Sequence, residues 1–117
     1  PGAPLFGEDF YRNMKQALRK GGVIATQAES IYLLPEVVSQ LCSVTRKIFK
    51  NYGYGTILVP TYPTGTIGVC CASDERDVKT PMREPDAKMK LRYYTPEVHR
   101  TAFGVPKFAL ELVEGAN

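Results

Sequence analysis

The sequence has no tryptophan, one histidine and only three cysteines among its 117 residues. Cys42, Cys70 and Cys71 are an odd number, and the last two lie side by side in a strand-like run, where neighbouring side chains point to opposite faces. Such a set does not make a metal site with a single further partner. We therefore expect buried, reduced thiols in a cytosolic protein, and no metal centre.

Long apolar runs are also missing, since none approaches the roughly 18 residues that a membrane span needs. The first residues, 1–4, contain neither the basic region nor the apolar region of a secretory signal, so we expect no signal peptide. The 15 basic and 12 acidic residues are spread along the chain and give a net charge of +3. Arg46, Lys47 and Lys50 close a predicted helix, where cations interact favourably with the helix dipole. The sequence therefore predicts neither a nucleic-acid partner nor a membrane partner.

A glycine-rich turn between a strand and a helix, followed by an acidic residue on the next strand, is absent as well. That arrangement holds a nucleoside in many α/β proteins. Gly2, the pair Gly21 and Gly22, and the spacing of Gly53 and Gly55 do not fit it. If the chain contributes to a nucleoside-binding enzyme, half of the site lies outside it.

Helical periodicity is present in two places. The first predicted helix carries a core stripe at four-residue spacing and stops at Gly21 and Gly22. The second starts at Pro35, a residue suited to the first turn of a helix. The two apolar stripes are Phe6, Phe10, Met14 and Leu18 in the first helix, and Val37, Val38, Leu41, Val44 and Ile48 in the second.

Strand signals occur at residues 23–26, 53–59 and 67–72, and the turn at 61–65 makes the last two an antiparallel hairpin. Ten of the 18 residues in 73–90 are charged, which predicts an exposed loop. Short helices follow, one capped by Thr95 and running through Phe103, the other running from Pro106 through Leu112. This order of elements predicts a single α/β domain, the closing half of a doubly wound sheet whose final strand turns back antiparallel.

Two polar clusters follow apolar runs, at residues 26–30 and 59–65, where α/β proteins commonly bind ligands. Gln27 and Glu29 alternate with Ala28, so both side chains point to the same face at a strand end. Tyr62 lies between two prolines, which restrict its backbone and aim its ring. An amide, a carboxylate and an aimed tyrosine suit a small ligand with a cationic or amine head. A solvated strand end and a rigid turn are the simpler alternatives.

On these segments the chain resembles the spermidine synthases, a family of aminopropyltransferases. The resemblance covers nearly the whole chain except the charged loop, and its motifs keep their order and spacing. The segments that carry it are 5–6, 18–23, 26–30, 59–65, 67–68, 91–94, 97–100, 102–103 and 105–108.

The resemblance implies that residues 1–117 are the C-terminal part of the catalytic domain. They would form the C-terminal half of a Rossmann-like methyltransferase-type sheet, with a terminal antiparallel hairpin and C-terminal helices. The family moves the aminopropyl group of decarboxylated S-adenosylmethionine to putrescine, giving spermidine and methylthioadenosine, without a metal or a cofactor. Its members assemble as homodimers or homotetramers. The aspartates that act on the attacking amine would precede Pro1, so we assign no catalytic residue to this chain and expect the isolated segment to be inactive.

The resemblance also implies roles for individual residues. Tyr62 would lie beside the attacking amine, and Gln27 would hydrogen-bond the diamine. Glu29 would lie near the distal ammonium, through water, and Ile67 would wall the methylene chain. A cytoplasmic location follows from the same resemblance.

The adenine side of the site is a weaker assignment, made to Pro1 and Leu5. The family usually has a Pro-Ala-Glu-Ser-Leu-Phe-like run there, whereas this chain has Pro-Gly-Ala-Pro-Leu-Phe. His99 is predicted to be structural, and Tyr93 and Tyr94 to pack the C-terminal helices against the sheet.

Two other functions stay open. The chain could be a non-catalytic subunit or fragment, derived from a spermidine synthase, that binds a protein partner through an open sheet edge. It could instead belong to an aminopropyltransferase whose acceptor is spermidine or another amine.

Overall fold

The computed structural model describes residues 7–115. Within them, four helices and three strands alternate in a way that confirms the predicted α/β class. A single turn of 3₁₀-helix at Lys107–Ala109 and a tight, non-helical turn at Pro63–Gly65 complete this part of the chain. The elements are α1 (Glu8–Ala17), β1 (Ile24–Ala28), α2 (Pro35–Ile48), β2 (Asn51–Leu58), β3 (Thr66–Ser73), α3 (Pro96–Ala102) and α4 (Leu110–Glu114).

The three strands form one sheet in the order β1-β3-β2, with β3 antiparallel to both neighbours. The predicted hairpin of β2 and β3 is therefore confirmed. Because β3 lies between β1 and β2 and is antiparallel to both, β1 and β2 run in the same direction and do not touch each other. Their carboxyl ends and the start of β3 consequently meet at one end of the sheet.

The helices α1, α2 and α4 cover one face of this sheet and enclose the core. Side chains alternate along the strands, so every second residue of each strand reaches that face. The cluster under α2 and α4 consists of Ala28, Ile31, Val38, Cys42, Tyr54, Cys70, Ala109 and Val113. The cluster under α1 consists of Tyr11, Ile24, Ile48, Phe49 and Ala72.

The core stripe predicted for α1 is only partly buried. Phe10, Met14 and Leu18 pack against the second cluster, and Phe6 lies outside the described residues. The fully buried residue of α1 is Tyr11, whose ring meets Phe10 edge-on and whose hydroxyl lies 3.4 Å from the Thr26 hydroxyl. A tyrosine can be buried completely here because its polar tip meets a polar partner.

The first helix also ends earlier than predicted. Leu18 is already extended, and its N–H donates to the carbonyl of Lys15. Gly21 and Gly22 form a separate turn, closed by a 2.8 Å hydrogen bond from the Gly22 N–H to the Arg19 carbonyl, with Gly21 at a φ of 75°. The glycines thus redirect the chain into β1 instead of ending α1.

The predicted α2 is confirmed, but its buried face is rotated from the predicted stripe. Val37 is 46% exposed, whereas Cys42 and Thr45 are fully buried. The Thr45 hydroxyl donates to the carbonyls of Leu41 and Cys42, at 3.0 and 3.1 Å. Those hydrogen bonds within the helix satisfy the hydroxyl and allow it to be buried.

The predicted exposed loop begins one residue too early and is anchored at two points. Ser73 is the last residue of β3 and is fully buried, and Val78 is 7% exposed. The remainder of residues 74–95 has no regular secondary structure and is mostly exposed. Ser73 is buried because its hydroxyl donates to the Gly22 carbonyl at 2.8 Å and accepts the N–H groups of Glu75 and Arg76.

The C-terminal helices pack on both sides of β2. Thr95 caps α3 as predicted, accepting the Val98 N–H at 3.0 Å, and Phe103 at the end of α3 covers Gly53, where a Cβ would approach the ring to 2.9 Å. The second helical segment was predicted to run from Pro106 through Leu112. It consists of a 3₁₀ turn followed by α4, and together these span residues 107–114. No helix within residues 7–115 is long and apolar enough to cross a membrane.

We expect Ser73→Ala to lower the free energy of unfolding by about 1–3 kcal/mol, because it leaves the Gly22 carbonyl and two N–H groups without their partner. Chemical denaturation followed by circular dichroism measures this loss. Ser43→Ala, on the exposed side of α2, is the matched control and should change stability by less than about 0.5 kcal/mol. Equal effects of the two substitutions would show that the Ser73 hydroxyl does not anchor the segment.

Candidate functional site

A cavity of about 440 Å³ lies between α1, α2 and the carboxyl end of β1. Helix α1 supplies its floor, α2 supplies an apolar wall, and the end of β1 supplies polar groups. The residues that line it are Gly7, Tyr11, Gln27, Ala28, Glu29, Val37, Gln40, Leu41 and Val44.

The electrostatic character of this cavity is set by one residue. Glu29 is the single formally charged side chain among the lining residues, and it is half-buried. The Gln40 amide can donate and accept hydrogen bonds, whereas Gln27 borders the cavity at the strand end with its side chain on the opposite face of the sheet from Ala28. A partly enclosed carboxylate beside apolar walls attracts a cation more strongly than one in open water. The cavity can therefore bind a small cationic or amine ligand that has an apolar part.

The structure brings two of the predicted site residues together. Gln27 is exposed, Glu29 is half-buried, and Ala28 between them is only 2% exposed because it points into the core. This is the alternation that the sequence predicted for the end of β1. Their roles toward a ligand stay predictions.

The other two predicted residues lie at the same end of the sheet but do not line the cavity. Ile67 pairs with Ile57 and is 8% exposed, so little of its side chain is available to a ligand. One step further along the register that pairs Ala28 with Gly68, Ile67 would stand opposite Glu29. Tyr62 is 41% exposed in the loop between β2 and β3. Pro1 and Leu5 lie outside the described residues.

The loop that carries Tyr62 is held by main-chain hydrogen bonds in addition to its prolines. The Tyr62 N–H donates to the Val59 carbonyl at 3.0 Å, and the Tyr62 carbonyl accepts the Gly65 N–H at 2.8 Å. The Val59 N–H closes the loop on the Gly65 carbonyl at 2.9 Å. Thr64 has a φ of 69°, a left-handed conformation that costs about 1–2 kcal/mol for a residue with a Cβ. The backbone of Tyr62 is thus fixed on both sides.

Tyr54 is a buried residue of the site region that the sequence did not indicate. Its hydroxyl donates a 2.7 Å hydrogen bond to the main-chain carbonyl of Glu29, and its side chain is 2% exposed. Its ring lies against Gly68, where any Cβ would overlap the ring and the hydroxyl. Burial raises the pKa of Tyr54 to about 12, so the hydroxyl stays protonated and able to donate. A glycine placed diagonally from an aromatic residue on paired strands is the only sequence signal for this contact.

Three further groups that could act on protons, His99, Cys71 and Asp74, are each held in one state by their surroundings. Both ring nitrogens of His99 have partners, the Val78 carbonyl and the Tyr94 hydroxyl, each at 2.9 Å, which agrees with its predicted structural role. Burial raises the pKa of the Cys71 thiol to about 11, so it stays protonated at neutral pH. Lys15, at 3.0 Å, keeps the pKa of Asp74 below its usual range and holds it as an ion pair.

Within residues 7–115, no three His, Cys, Asp or Glu side chains lie close enough together to hold a metal ion.

The chain is similar in sequence to a known protein family and to several known enzymes. A family model described as the spermine/spermidine synthase domain matches residues 1–81. The polyamine aminopropyltransferase of Leptospira biflexa is 43% identical over 110 residues, covering 93% of this chain and 39% of that protein. Putrescine N-methyltransferase 2 of Nicotiana tabacum is 39% identical over 128 residues, covering 97% of this chain and 36% of that protein.

The solved structures agree with the sequence comparisons. The spermidine synthase of Thermotoga maritima superposes with a TM-score of 0.87 at 27% identity, covering 97% of this chain and 40% of that one. The chain therefore spans about 40% of the length of the proteins it matches.

The shifted pKa of Tyr54 gives a testable dependence of stability on pH. Since its folded pKa, about 12, lies above its unfolded value of about 10, its contribution is fully present below pH 10. That contribution is lost as the pH rises from about 10 towards 12. Denaturation at a series of pH values should show a steeper alkaline loss of stability in the wild type than in Tyr54→Phe. Parallel curves for the two proteins would contradict the assignment.

Proposed function

Because this chain belongs to the spermine/spermidine synthase domain family, we propose that its protein transfers an aminopropyl group from decarboxylated S-adenosylmethionine to putrescine. The products are spermidine and methylthioadenosine. In this proposal the chain supplies the side of the site that binds the amine acceptor. The observation that carries it is the cavity at the carboxyl end of β1, where Glu29 is the one lining residue with a formal charge.

The assignment to the acceptor side is supported by the names of the relatives. One is a polyamine aminopropyltransferase and another a putrescine N-methyltransferase, and each matches more than nine-tenths of this chain. The groups that they transfer differ, whereas an amine is common to both names. The acceptor is therefore the chemistry that their shared segment is best suited to bind.

We assign the distal ammonium of putrescine to Glu29 and Gln27. Opposite unit charges about 4 Å apart attract by about 4 kcal/mol at an effective dielectric constant near 20. The apolar wall of the cavity, formed by Val37, Leu41 and Val44, reduces the contact of the ligand with water and strengthens this attraction. The reacting amine lies toward Tyr62, at the same end of the sheet.

The chemical step requires a neutral amine. Its nitrogen lone pair attacks the carbon beside the sulfonium sulfur, so a C–N bond forms and the C–S bond breaks. The electron pair of that bond returns to sulfur, and the nitrogen loses a proton to a base. We assign this base, and the groups that bind the nucleoside, to parts of the protein outside residues 7–115. The same proposal places the enzyme in the cytoplasm, as a homodimer or homotetramer that uses no metal or cofactor.

Methyl transfer to putrescine is the second candidate, and the similarity to a putrescine N-methyltransferase favours it. Both reactions use the same acceptor, so the acceptor residues cannot separate them. The mass of the product does, because a putrescine that gains an aminopropyl group is heavier than one that gains a methyl group. Formation of neither product by the full-length protein would support a non-catalytic subunit.

We expect Glu29→Gln to raise the KM for putrescine about tenfold, because one charge-assisted contact to the ammonium contributes about 1.5–3 kcal/mol, partly lost through intervening water. Steady-state kinetics of the full-length protein measure this change. Glu36→Gln is the matched control, since Glu36 is exposed in the first turn of α2 and does not line the cavity. Its KM should equal that of the wild type.

Tyr62→Phe tests the other end of the acceptor. We expect it to lower kcat more than it raises KM, because its hydroxyl lies beside the amine that reacts. A loss of about one order of magnitude corresponds to about 1.4 kcal/mol of transition-state stabilisation. Unchanged kinetics in both Tyr62→Phe and Glu29→Gln would contradict the proposed acceptor site.

A further inference from the structure

We propose that Tyr54 is a positioning residue for the amine-binding end of the site, acting through the main chain of Glu29. This inference rests on the function proposed above. The Tyr54 hydroxyl fixes the point at which β1 ends. It thereby fixes the directions in which Gln27 and Glu29 present their side chains.

The contact spans the full width of the sheet. Tyr54 belongs to β2, and Glu29 follows β1, yet β3 separates these two strands. The side chain reaches its partner by crossing Gly68 of β3, the residue that pairs with Ala28. Any larger residue at position 68 would occupy the space of the ring. The 2.7 Å hydrogen bond to the Glu29 carbonyl is thus possible because this position is a glycine.

Glu29 needs such a contact because it lies where the sheet ends. The last pair between β1 and β3 is Ala28 with Gly68, so the sheet register supplies no partner for Glu29. Immediately afterwards the chain turns, and the Ser30 carbonyl accepts the N–H groups of Leu33 and Leu34 at 3.2 and 2.9 Å. A carbonyl between a strand and a turn leaves its peptide free to rotate, unless a donor holds it. Tyr54 supplies that donor, and rotation of this peptide would swing the Glu29 carboxylate.

Tyr52 provides an internal control for a purely structural role. It lies on the same strand and the same face, and its hydroxyl also donates to a main-chain carbonyl, that of Val113, at 3.1 Å. Its partner belongs to α4, and Tyr52 pairs with Ala72, toward the opposite end of the sheet. Removing either hydroxyl deletes one hydroxyl–carbonyl hydrogen bond, and in Tyr52 also the hydrogen bond that the hydroxyl accepts from Arg46 Nη1 at 3.3 Å. Only the bond made by Tyr54 touches the site.

The test compares Tyr54→Phe, Tyr52→Phe and the wild type in the full-length protein. Since one neutral hydrogen bond contributes about 1 kcal/mol, we expect Tyr54→Phe to raise the KM for putrescine about fivefold. Its kcat should stay within about twofold, and its KM for decarboxylated S-adenosylmethionine should not change, because ground-state binding of the diamine alone is weakened. Tyr52→Phe should lose similar thermal stability and keep both KM values.

The outcomes separate the two proposals. Identical kinetics in Tyr54→Phe and Tyr52→Phe, or an equal rise in both KM values of Tyr54→Phe, would overturn the positioning role and leave the proposed function intact. If the wild type transfers no group to putrescine, the proposed reaction fails. In that case, calorimetry measures the affinity of the three proteins for putrescine. The positioning role is upheld only if Tyr54→Phe binds putrescine more weakly than the wild type and Tyr52→Phe does not. Absence of putrescine binding to the wild type would overturn both proposals.

Discussion

The hydrogen bond between the Tyr54 hydroxyl and the Glu29 carbonyl depends on the whole arrangement of the sheet. It requires β3 to lie between β1 and β2, a glycine at position 68, and a ring buried deeply enough that its hydroxyl finds no water. Each of these conditions is a packing condition, and none acts on the ligand directly. The packing of the core and the geometry of the candidate site are therefore linked. The Tyr54 side chain, which fills the space over Gly68, also holds the end of β1.

The sequence predicted those elements whose causes are local. Pro35 starts α2, Thr95 caps α3, and the short turn between two apolar runs makes a hairpin, each through residues that are neighbours in the chain. Tyr11 and Ser73 were not predicted to be buried, because their burial depends on distant partners. The Tyr11 hydroxyl meets Thr26, and the Ser73 hydroxyl donates to the Gly22 carbonyl. A polar side chain is buried where the fold supplies its partner, and a single sequence does not show where that is.

The same division applies to the candidate site. Gln27 and Glu29 lie where strand alternation predicted them, because a period of two needs no tertiary information. The proximity of Tyr62 to that strand end was predicted from the two polar clusters that follow apolar runs, and that of Ile67 was implied only by the family resemblance. The structure places both at the same end of the sheet but outside the cavity. The contribution of Tyr54 could not be predicted, since it depends on β3 separating two strands that run in the same direction.

In the proposed function, different parts of the protein bind the acceptor and the donor. The residues proposed to bind the amine are held by the ends of β1 and β3 and by a closed loop, all of which belong to the part of the chain that the structure describes. The group to be transferred differs between relatives that match this same part. A diamine site fixed by main-chain hydrogen bonds can keep its geometry while the surroundings of the donor change, because rigid strand ends do not depend on the shape of the donor. In the proposed function, the remaining length of the protein would then set the identity of the transferred group, and this segment would set the acceptor.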